Sequence, residues 1–376
     1  MPLSRGRLVA IGLIVLFLFG LVFLRGPTPH IAIKPETLTS LGPFDLTNTV
    51  LTSWIVVALI VVTVFFATRR WELTPRGAQN FVEWFFLEGE FIVSIIRVPF
   101  VNYEVTESLA GERNARRFFP LVITVFLFVL ISNWLSLLPV FNVIGLVKEE
   151  EHGFVMDRTE VGSLDVGVVS LSGPSDLRLT GGGTIDEDDP VAEEQYREAK
   201  EDGKLVGELV PLFRGPNTDL NTPLALAIVS AIAVESWGIA SLGLRVYGGK
   251  FFNFGGAFRG LFRLNFGQMF QGMIDAFVGV LELISELVRL LSFTFRLFGN
   301  MFAGEVVILM FTFLTPLVLT IAFYGLELFV GVIQAFIFAM LTLVFGVMAV
   351  THGEHAAHEA DEGHAATTQH LRESEA

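Results

Sequence analysis

An arginine and a carboxylate lie inside one of the most apolar stretches of this 376-residue chain. The segment from Ser292 to Glu305 reads Ser-Phe-Thr-Phe-Arg-Leu-Phe-Gly-Asn-Met-Phe-Ala-Gly-Glu, which surrounds Arg296 with apolar side chains. An arginine at the centre of a membrane-spanning helix costs about 2.5–3.5 kcal/mol on insertion scales, so it is rarely there by accident. Such a residue marks an ion path or a buried counter-ion by default.

Polar side chains recur at helical spacing before and after Arg296. Positions separated by four, three, four, three and four residues form one stripe on a helix: Glu282, Glu286, Arg289, Phe293, Arg296 and Asn300. Because a polar stripe cannot face lipid, we expect it to face a protein partner or an aqueous cavity. Glu305 lies nine residues beyond Arg296, on the opposite side of the helix, so we expect no salt bridge between these two.

A hairpin turn near Thr315-Pro316 brings further polar residues level with these. Glu305 lies eleven residues before Pro316 and Glu327 eleven after it, so antiparallel arms would place the two carboxylates at one depth. By the same count, Arg296 and Gln334 would lie at nearly the same depth on the two arms. Two carboxylates close together in a low dielectric raise one another's proton affinity, whereas arginine keeps its charge. The pattern predicts carboxylates that relay protons and an arginine that blocks direct passage of a cation.

The composition is that of a membrane protein. The chain is 52% hydrophobic, has a mean hydropathy of +0.61, and contains several apolar runs that reach the roughly 20 residues needed to span a bilayer. These runs are too long and too uniformly apolar for barrel strands, so we expect an all-α integral membrane protein with about five to six spanning helices. The chain has no cysteine, which excludes disulfide, zinc-thiolate and thiol chemistry, and nothing in it indicates nucleic-acid binding.

The apolar runs predict how the first third of the chain is organised. Leu8–Leu24 follows Arg5 and Arg7 and lacks small residues at a cleavage site, which favours a retained anchor over a cleaved signal. Thr49–Ala67 and Phe118–Pro139 are predicted spans, and the glutamate-containing segment Phe81–Val98 is predicted to lie at the membrane interface or to pack against other helices.

Between residues 142 and 215 the composition becomes acidic and glycine-containing. Runs such as Glu149-Glu-Glu151 and Asp186-Glu-Asp-Asp189 cannot lie in hydrocarbon, so we expect a soluble insert. Val161–Leu171 alternates weakly and predicts a short strand pair, and Val191–Lys200 predicts a short helix.

The predicted membrane helices resume after the insert. Thr222 is predicted to cap a span that begins at Pro223 and runs to about Leu244, with Asp219 and Asn221 assigned to the same cap rather than to a channel entrance. A long hairpin over Gln268–Val350 precedes a histidine-rich tail, for which a disordered solvated segment is favoured over a metal site. The predicted regions are 1–48, 49–141, 142–215, 216–351 and 352–376.

Basic residues predict the orientation in the membrane. Three loop clusters fall on one side if every span crosses: Arg69, Arg70 and Arg76; Arg113, Arg116 and Arg117; Lys250, Arg259 and Arg263. By the positive-inside rule this side is cytoplasmic, which places the acidic insert outside and both termini inside.

Three motifs resemble one known family. Arg296-Leu-Phe-Gly-Asn300-Met-Phe-Ala-Gly-Glu305, Gln334-Ala-Phe-Ile-Phe and the segment Ile131–Pro139 resemble subunit a of F-type ATP synthases over roughly residues 30–140 and 216–350. The resemblance implies a stator subunit that is not catalytic alone, with two offset half-channels to the carboxylate of a c-ring packed against the hairpin. It implies Arg296 as the essential arginine beside Gln334, with Asn300, Glu305 and Glu327 in the outer half-channel and Glu282 toward the inner one.

The resemblance also implies partners and a location, and the sequence departs from the family pattern in places. Expected partners are the c-ring, peripheral-stalk subunit b, other ATP synthase subunits and lipid, with no cofactor or metal, in a bacterial inner membrane. The insert is far longer than the usual loop, Ser136 stands where some relatives carry aspartate, and Glu327 stands where some carry histidine. The alternative function is a stand-alone secondary transporter or channel, although the inverted repeats typical of transporters are not apparent.

Overall fold

The computed structural model describes most of the chain. It covers residues 6, 12, 14–19, 33–41, 44–69, 103–138, 141, 144–161, 164–169, 184–185, 190–251, 266–315 and 318–374. The predicted interfacial segment Phe81–Val98 lies outside these residues. Of the predicted anchor Leu8–Leu24, Gly12 and residues 14–19 are described, and they are helical.

Within the described ranges, five helices are long and apolar enough to cross a membrane. They are α1 (Asn48–Thr68), α3 (Glu112–Ser136), α5 (Asn221–Leu242), α7 (Phe266–Leu314) and α8 (Val318–Ser374). The predicted mostly helical membrane architecture is therefore confirmed. The cap predicted at Thr222 is wrong by a residue or two, because α5 already begins at Asn221, a difference within the usual uncertainty of helix ends.

The hairpin is formed by α7 and α8, with the turn at the predicted place. Helix α7 has 49 residues and ends at Leu314, and α8 begins at Val318. At about 1.5 Å per residue α7 is about 74 Å long, more than twice the roughly 30 Å hydrocarbon thickness of a bilayer. Such a helix must tilt steeply in the membrane or extend well beyond it.

The histidine-rich tail differs from the prediction of disorder. The backbone of α8 continues as helix through the tail to Ser374. Alanine and glutamate are frequent in this tail and are both good helix formers, so the segment can extend the helix that precedes it.

The insert folds as a small sheet with one helix. Strand β3 (Ile144–Val161) pairs antiparallel with β4 (Leu164–Val169), β5 (Thr184–Ile185) and β6 (Leu205–Pro211). Helix α4 (Ala192–Glu201) confirms the predicted short helix to within a residue. The predicted strand pair within Val161–Leu171 is wrong, because that segment contains β4 and only the last residue of β3. The partner strand β3 lies before it, and its charged run Lys148–Glu151 conceals its strand character.

The insert has a hydrophobic core of its own. One buried cluster comprises Val155, Ile185, Ala192, Ala199 and Val206. A second comprises Met156, Leu205 and Leu209. The remaining short elements are β1 (Thr37–Leu41), which pairs with β2 (Phe44–Thr47), and helices α2 (Tyr103–Ala110) and α6 (Leu244–Phe251).

The chain forms two compact units. The first comprises residues 1–82, 127–220 and 297–335, and includes the insert and the turn of the hairpin. The second comprises residues 83–126, 221–296 and 336–376. In the second unit the rings of Phe118 and Trp237 stack with centroids 4.2 Å apart, and a Cβ added at Gly346 would lie 2.8 Å from the Trp237 ring. Glycine at 346 therefore allows α8 to approach this indole.

Candidate functional site: two polar cavities

The first compact unit contains a cavity of about 220 Å³ that we call the carboxylate cavity. Its walls carry the carboxylates of Glu305 and Glu327 and the hydroxyl-bearing residues Ser136, Thr218, Thr312 and Tyr324. The remaining lining residues are Leu137, Leu138, Phe141, Gly215, Met301, Ile308 and Leu309. This volume has room for several water molecules, and its polar groups can hydrogen-bond to them.

Glu305 is paired with an arginine that the sequence pattern did not single out. Arg214 Nη2 lies 3.4 Å from Glu305 Oε2, and the two side chains are only 6% and 17% exposed. Arg214 Nη1 also donates to the Lys34 carbonyl at 3.3 Å, and its backbone N–H donates to Thr52 Oγ1 at 3.3 Å. The only sequence signal for Arg214 is a basic residue at the end of an acidic insert, next to Gly215-Pro216.

Glu327 has different surroundings from Glu305, although both line the same cavity. Its Oε1 atom is buried and has no hydrogen-bond partner among the described residues. The carboxylate lies directly over Gly304 of α7, where an added Cβ would coincide with it. The absence of a side chain at position 304 therefore gives the Glu327 carboxylate its place between the arms of the hairpin.

Asparagine side chains hold the wall beside this cavity. Asn133 of α3 is 3% exposed, donates through Nδ2 to the Gly331 carbonyl of α8 at 3.2 Å, and accepts from Asn217 Nδ2 at 2.7 Å. Trp134 Nε1 donates to the Leu328 carbonyl at 3.2 Å. Asn133 and Trp134 therefore fasten α3 to the part of α8 that directly follows the cavity-lining Glu327.

Asp219 is buried rather than placed at an open entrance. It is 3% exposed and accepts a hydrogen bond from Thr49 Oγ1 at 3.1 Å. At the start of α1, the Thr47 hydroxyl accepts from the Val50 N–H at 3.4 Å. The Thr49–Asp219 bond ties α1 to the segment that follows the insert.

The predicted polar stripe on α7 is only partly covered. Glu282 and Glu286 are half-buried and Phe293 is 7% exposed, but Arg296 and Asn300 are exposed. Beyond Phe293 the buried residues include Thr294, Leu297 and Met301, and Phe293, Leu297 and Met301 are spaced by four. Rows of residues spaced by four are inclined by about 26° to the helix axis, so the covered surface moves away from the predicted stripe.

Gln334 lies on α8 and is 7% exposed. The expected absence of a salt bridge between Arg296 and Glu305 agrees with the pairing of Glu305 with Arg214. The level pairing of Arg296 with Gln334 remains a prediction.

The second compact unit contains a much smaller polar cavity of about 30 Å³, which we call the arginine cavity. Arg289 Nη1 lies 2.9 Å from Glu286 Oε2, one turn earlier on α7, and its guanidinium lies 4.0 Å from the centroid of the Phe345 ring. Glu235 and Ser230 of α5 and Thr342 of α8 complete the polar lining. The charge of Arg289 is therefore held by a partner on its own helix and by an aromatic face.

A tyrosine from the short helix α6 lies beside Glu235. Burial raises the pKa of Tyr247 well above its usual range, and a hydrogen bond to Glu235 adds to the shift. A Cβ at Gly238 would lie 2.3 Å from the Tyr247 ring, so this glycine lets the ring pack on α5. The neutral phenol supplies a hydrogen-bond donor to the Glu235 carboxylate.

Comparison with known proteins identifies the chain's relatives. The model of the ATP synthase A chain family matches residues 50–346. The "ATP synthase subunit a" of Moorella thermoacetica is 25% identical over 321 residues, which cover 85% of this chain and 98% of the relative. The "ATP synthase subunit a" of Gloeobacter violaceus is 27% identical over 317 residues, which cover 84% and 89%.

Proposed function

Because this chain belongs to the ATP synthase A chain family, we propose that the carboxylate cavity is one of two offset half-channels leading to a rotating ring of carboxylate-bearing subunits. The chain is a multi-pass membrane protein, the proton-translocating stator subunit of an F-type ATP synthase, and it is not catalytic alone. The observation that carries the half-channel proposal is that Glu305 and Glu327, one from each arm of the hairpin, line one cavity of about 220 Å³.

The cavity has the groups that a proton path needs. Water in a space of this size can hydrogen-bond to the two carboxylates and to the hydroxyls of Ser136, Thr312 and Tyr324. A carboxyl group takes up a proton at one oxygen and returns it from either, so Glu305 and Glu327 can pass protons between water on one side and the ring on the other.

Arg296 has the surroundings expected of a residue that faces a ring carboxylate. Its guanidinium is exposed on a helix face where Leu291 is 49% and Phe295 56% exposed, so the charge lies on an apolar surface. Such a charge is unfavourable against lipid and is stabilised by an opposite charge on a protein partner. Arg296 would attract the deprotonated ring carboxylate and keep protons from passing directly between the half-channels, so that protons cross only as the ring turns.

The remaining predicted residues have roles relative to this arginine. Asn300, exposed one turn further along α7, would line the outer half-channel near Arg296, and Gln334 would stabilise the arginine from α8. Glu282 would mark the second half-channel, toward the cytoplasmic side. Each proton that crosses 100 mV releases about 2.3 kcal/mol, which this arrangement converts into ring rotation.

Partners, location and regions follow from the same proposal. The chain works within the ATP synthase complex, and the proposed direct partners are the c-ring and peripheral-stalk subunit b. The proposed membrane is a bacterial inner membrane, with the C-terminus cytoplasmic and the acidic insert outside, on the basis of the basic loop residues. The predicted division into regions 1–48, 49–141, 142–215, 216–351 and 352–376 is kept as a working scheme.

Substitution of Arg296 tests the function. Arg296→Ala should abolish ATP-driven acidification of membrane vesicles, measured with a pH-sensitive dye, while the assembled complex is still recovered. Arg296→Lys should also fail, because an ammonium lacks the planar fork of guanidinium and can lose its proton when buried. The matched control is Arg116→Ala, which removes an arginine whose side chain is 73% exposed.

Pumping at the wild-type rate by Arg296→Ala would contradict the proposal. Recovery of the chain without small two-helix ring subunits would instead favour the stand-alone transporter.

A further inference from the structure

Arg214 is a buried cation at the junction of the insert, the membrane helices and the carboxylate cavity. It follows β6 by three residues and is 5% exposed. Its backbone bonds to Thr52 of α1, and its side chain to the Lys34 carbonyl and to Glu305 of α7. The guanidinium is therefore held by two segments that are far apart in sequence, at Lys34 and Glu305, while Thr52 holds the backbone of the same residue.

A buried guanidinium needs a partner of opposite charge. An unpaired charge in a low-dielectric region is strongly unfavourable, and removal of one member of a buried pair leaves the other uncompensated. Glu305 is such a partner, since its side chain is only 17% exposed and its Oε2 atom lies 3.4 Å from the guanidinium. The pair joins residues 91 positions apart.

The two carboxylates of the cavity are consequently not equivalent. Glu305 is held by Arg214, whereas Glu327 Oε1 is buried without a hydrogen-bond partner among the described residues. One carboxylate is anchored to the wall, and the other is confined only by the space over Gly304.

We propose that Arg214 is a positioning residue of the proton path: its guanidinium anchors the Glu305 carboxylate in the cavity wall, and Glu327 is the carboxyl group that is left unanchored. This inference rests on the proposed half-channel function. It assigns the end of the insert, rather than the insert as a whole, a part in conduction.

The structure also indicates which part of the insert keeps Arg214 in place. Asn48 Nδ2 donates to the Pro211 carbonyl at 3.2 Å, and the Leu212 N–H donates to the Ile144 carbonyl at 3.0 Å. A Cβ at Gly215 would lie 2.9 Å from Ser136 Cβ, so the chain after Arg214 lies tightly against α3. The first residue of β3 and the last residue of β6 therefore take part in holding this segment.

The first test compares two arginines of the region 142–215 in the assembled complex. Arg214→Gln should lower ATP-driven proton flux about tenfold or more, because misplacement of a reacting group by about 1 Å can cost up to about 10²-fold. Arg197→Gln, the same change at an exposed position on α4, should leave flux unchanged. The flux is divided by the amount of complex in the vesicles, so that a smaller amount of assembled complex is not mistaken for slower conduction. Equal fluxes for the two variants would overturn the inference.

A double-mutant cycle separates an action through Glu305 from a purely structural role. If Arg214 acts by holding Glu305, then Arg214→Gln should have little further effect in a Glu305→Gln background. Arg214→Lys should recover part of the flux lost in Arg214→Gln, since it restores a positive charge near Glu305. Fully additive losses, or a lysine variant no better than glutamine, would contradict the inference.

A shortened insert provides a variant in which Arg214 is kept. Lys148 and Glu208 are directly opposite each other on β3 and β6. Replacing residues 149–207 by Asn-Gly would join these two by a two-residue hairpin turn. We expect the shortened variant to keep at least half of the wild-type proton flux in vesicles. Adding Arg214→Gln to it should lower that flux about tenfold, as in the full chain. If the shortened variant assembles but loses its flux although Arg214 is present, conduction needs another part of the insert, and the inference about Arg214 is wrong.

Failure of this inference is distinguishable from failure of the proposed function. If Arg296→Ala abolishes pumping but Arg214→Gln does not slow it, the half-channel function stands and the role of Arg214 is wrong. If Arg296→Ala pumps normally, the proposed function itself fails.

Discussion

The two polar cavities contain similar chemical groups in very different arrangements. Each is lined by glutamates and by hydroxyl-bearing residues, and in each a lining glutamate is paired with an arginine. At the carboxylate cavity the paired arginine comes from a distant segment, and the space is about 220 Å³. In the arginine cavity Arg289 is paired one turn away on its own helix and covered by Phe345, and the space is about 30 Å³.

The difference indicates which of these polar groups are arranged for passage. Two opposite charges one turn apart on the same helix stabilise each other locally. Such a pair does not need a water-filled space beside it. A pair that joins separate segments fixes those segments relative to each other and can form part of the wall of an aqueous space. We therefore expect proton flux to be more sensitive to changes in the carboxylate cavity than to changes in the arginine cavity.

The largest loss of proton flux in this comparison is expected from adding a single methyl group at Gly304. Gly304→Ala would place a Cβ on the Glu327 carboxylate and force it out of its position. We expect loss of most ATP-driven flux in vesicles. The control is Gly325→Ala, two residues before Glu327 on the same helix, where an added Cβ meets nothing within 4 Å. If both variants pump equally well, the observed position of Glu327 is not the one used in conduction.

The next effect concerns the two carboxylates themselves. Replacing Glu305 or Glu327 by Gln should each slow proton flux several-fold or more, because glutamine cannot pass on a proton. The double variant should be less impaired than the product of the single losses, because one relay is broken in either case. Losses that multiply strictly, measured by the same dye assay, would indicate separate paths.

The smallest effect is expected in the arginine cavity. Glu286→Gln weakens a pair whose members are 24% and 22% exposed. Pairs of this kind on a helix contribute about 0.3–1 kcal/mol, so flux should fall by no more than about fivefold and less than in Glu327→Gln. A loss as large as that of Glu327→Gln would remove the distinction between the cavities and indicate that Glu286 conducts.

Some features of this fold could be predicted because they depend on neighbouring residues. Apolar runs of sufficient length predict spans such as α1 and α5, whatever the rest of the chain does. Thr315-Pro316 predicts the end of α7, since proline disfavours helix in the residue before it. Counting outward from that turn predicts that Glu305 and Glu327 lie at one depth, and both line one cavity.

Other features could not be predicted from local patterns. Strand β3 carries Lys148 and three consecutive glutamates, so its alternation is weak, and only its pairing with β4 and β6 makes it a strand. The predicted stripe on α7 assumed that one face of the helix is covered along its whole length. Packing instead covers Leu297 and Met301 and leaves Arg296 and Asn300 exposed.

The amino-acid sequence alone determined the membrane helices, the hairpin and the arginine-bearing motif, because hydropathy and helical periodicity act over a few turns of chain. Only the tertiary structure decided that Arg214 pairs with Glu305, that Gly304 makes room for Glu327, and that these two carboxylates have unequal surroundings. The pairing of Arg214 with Glu305 joins residues 91 positions apart, and no local pattern encodes it. It arises because the folded chain brings the end of the insert to the hairpin, where a buried cation and a buried anion stabilise each other.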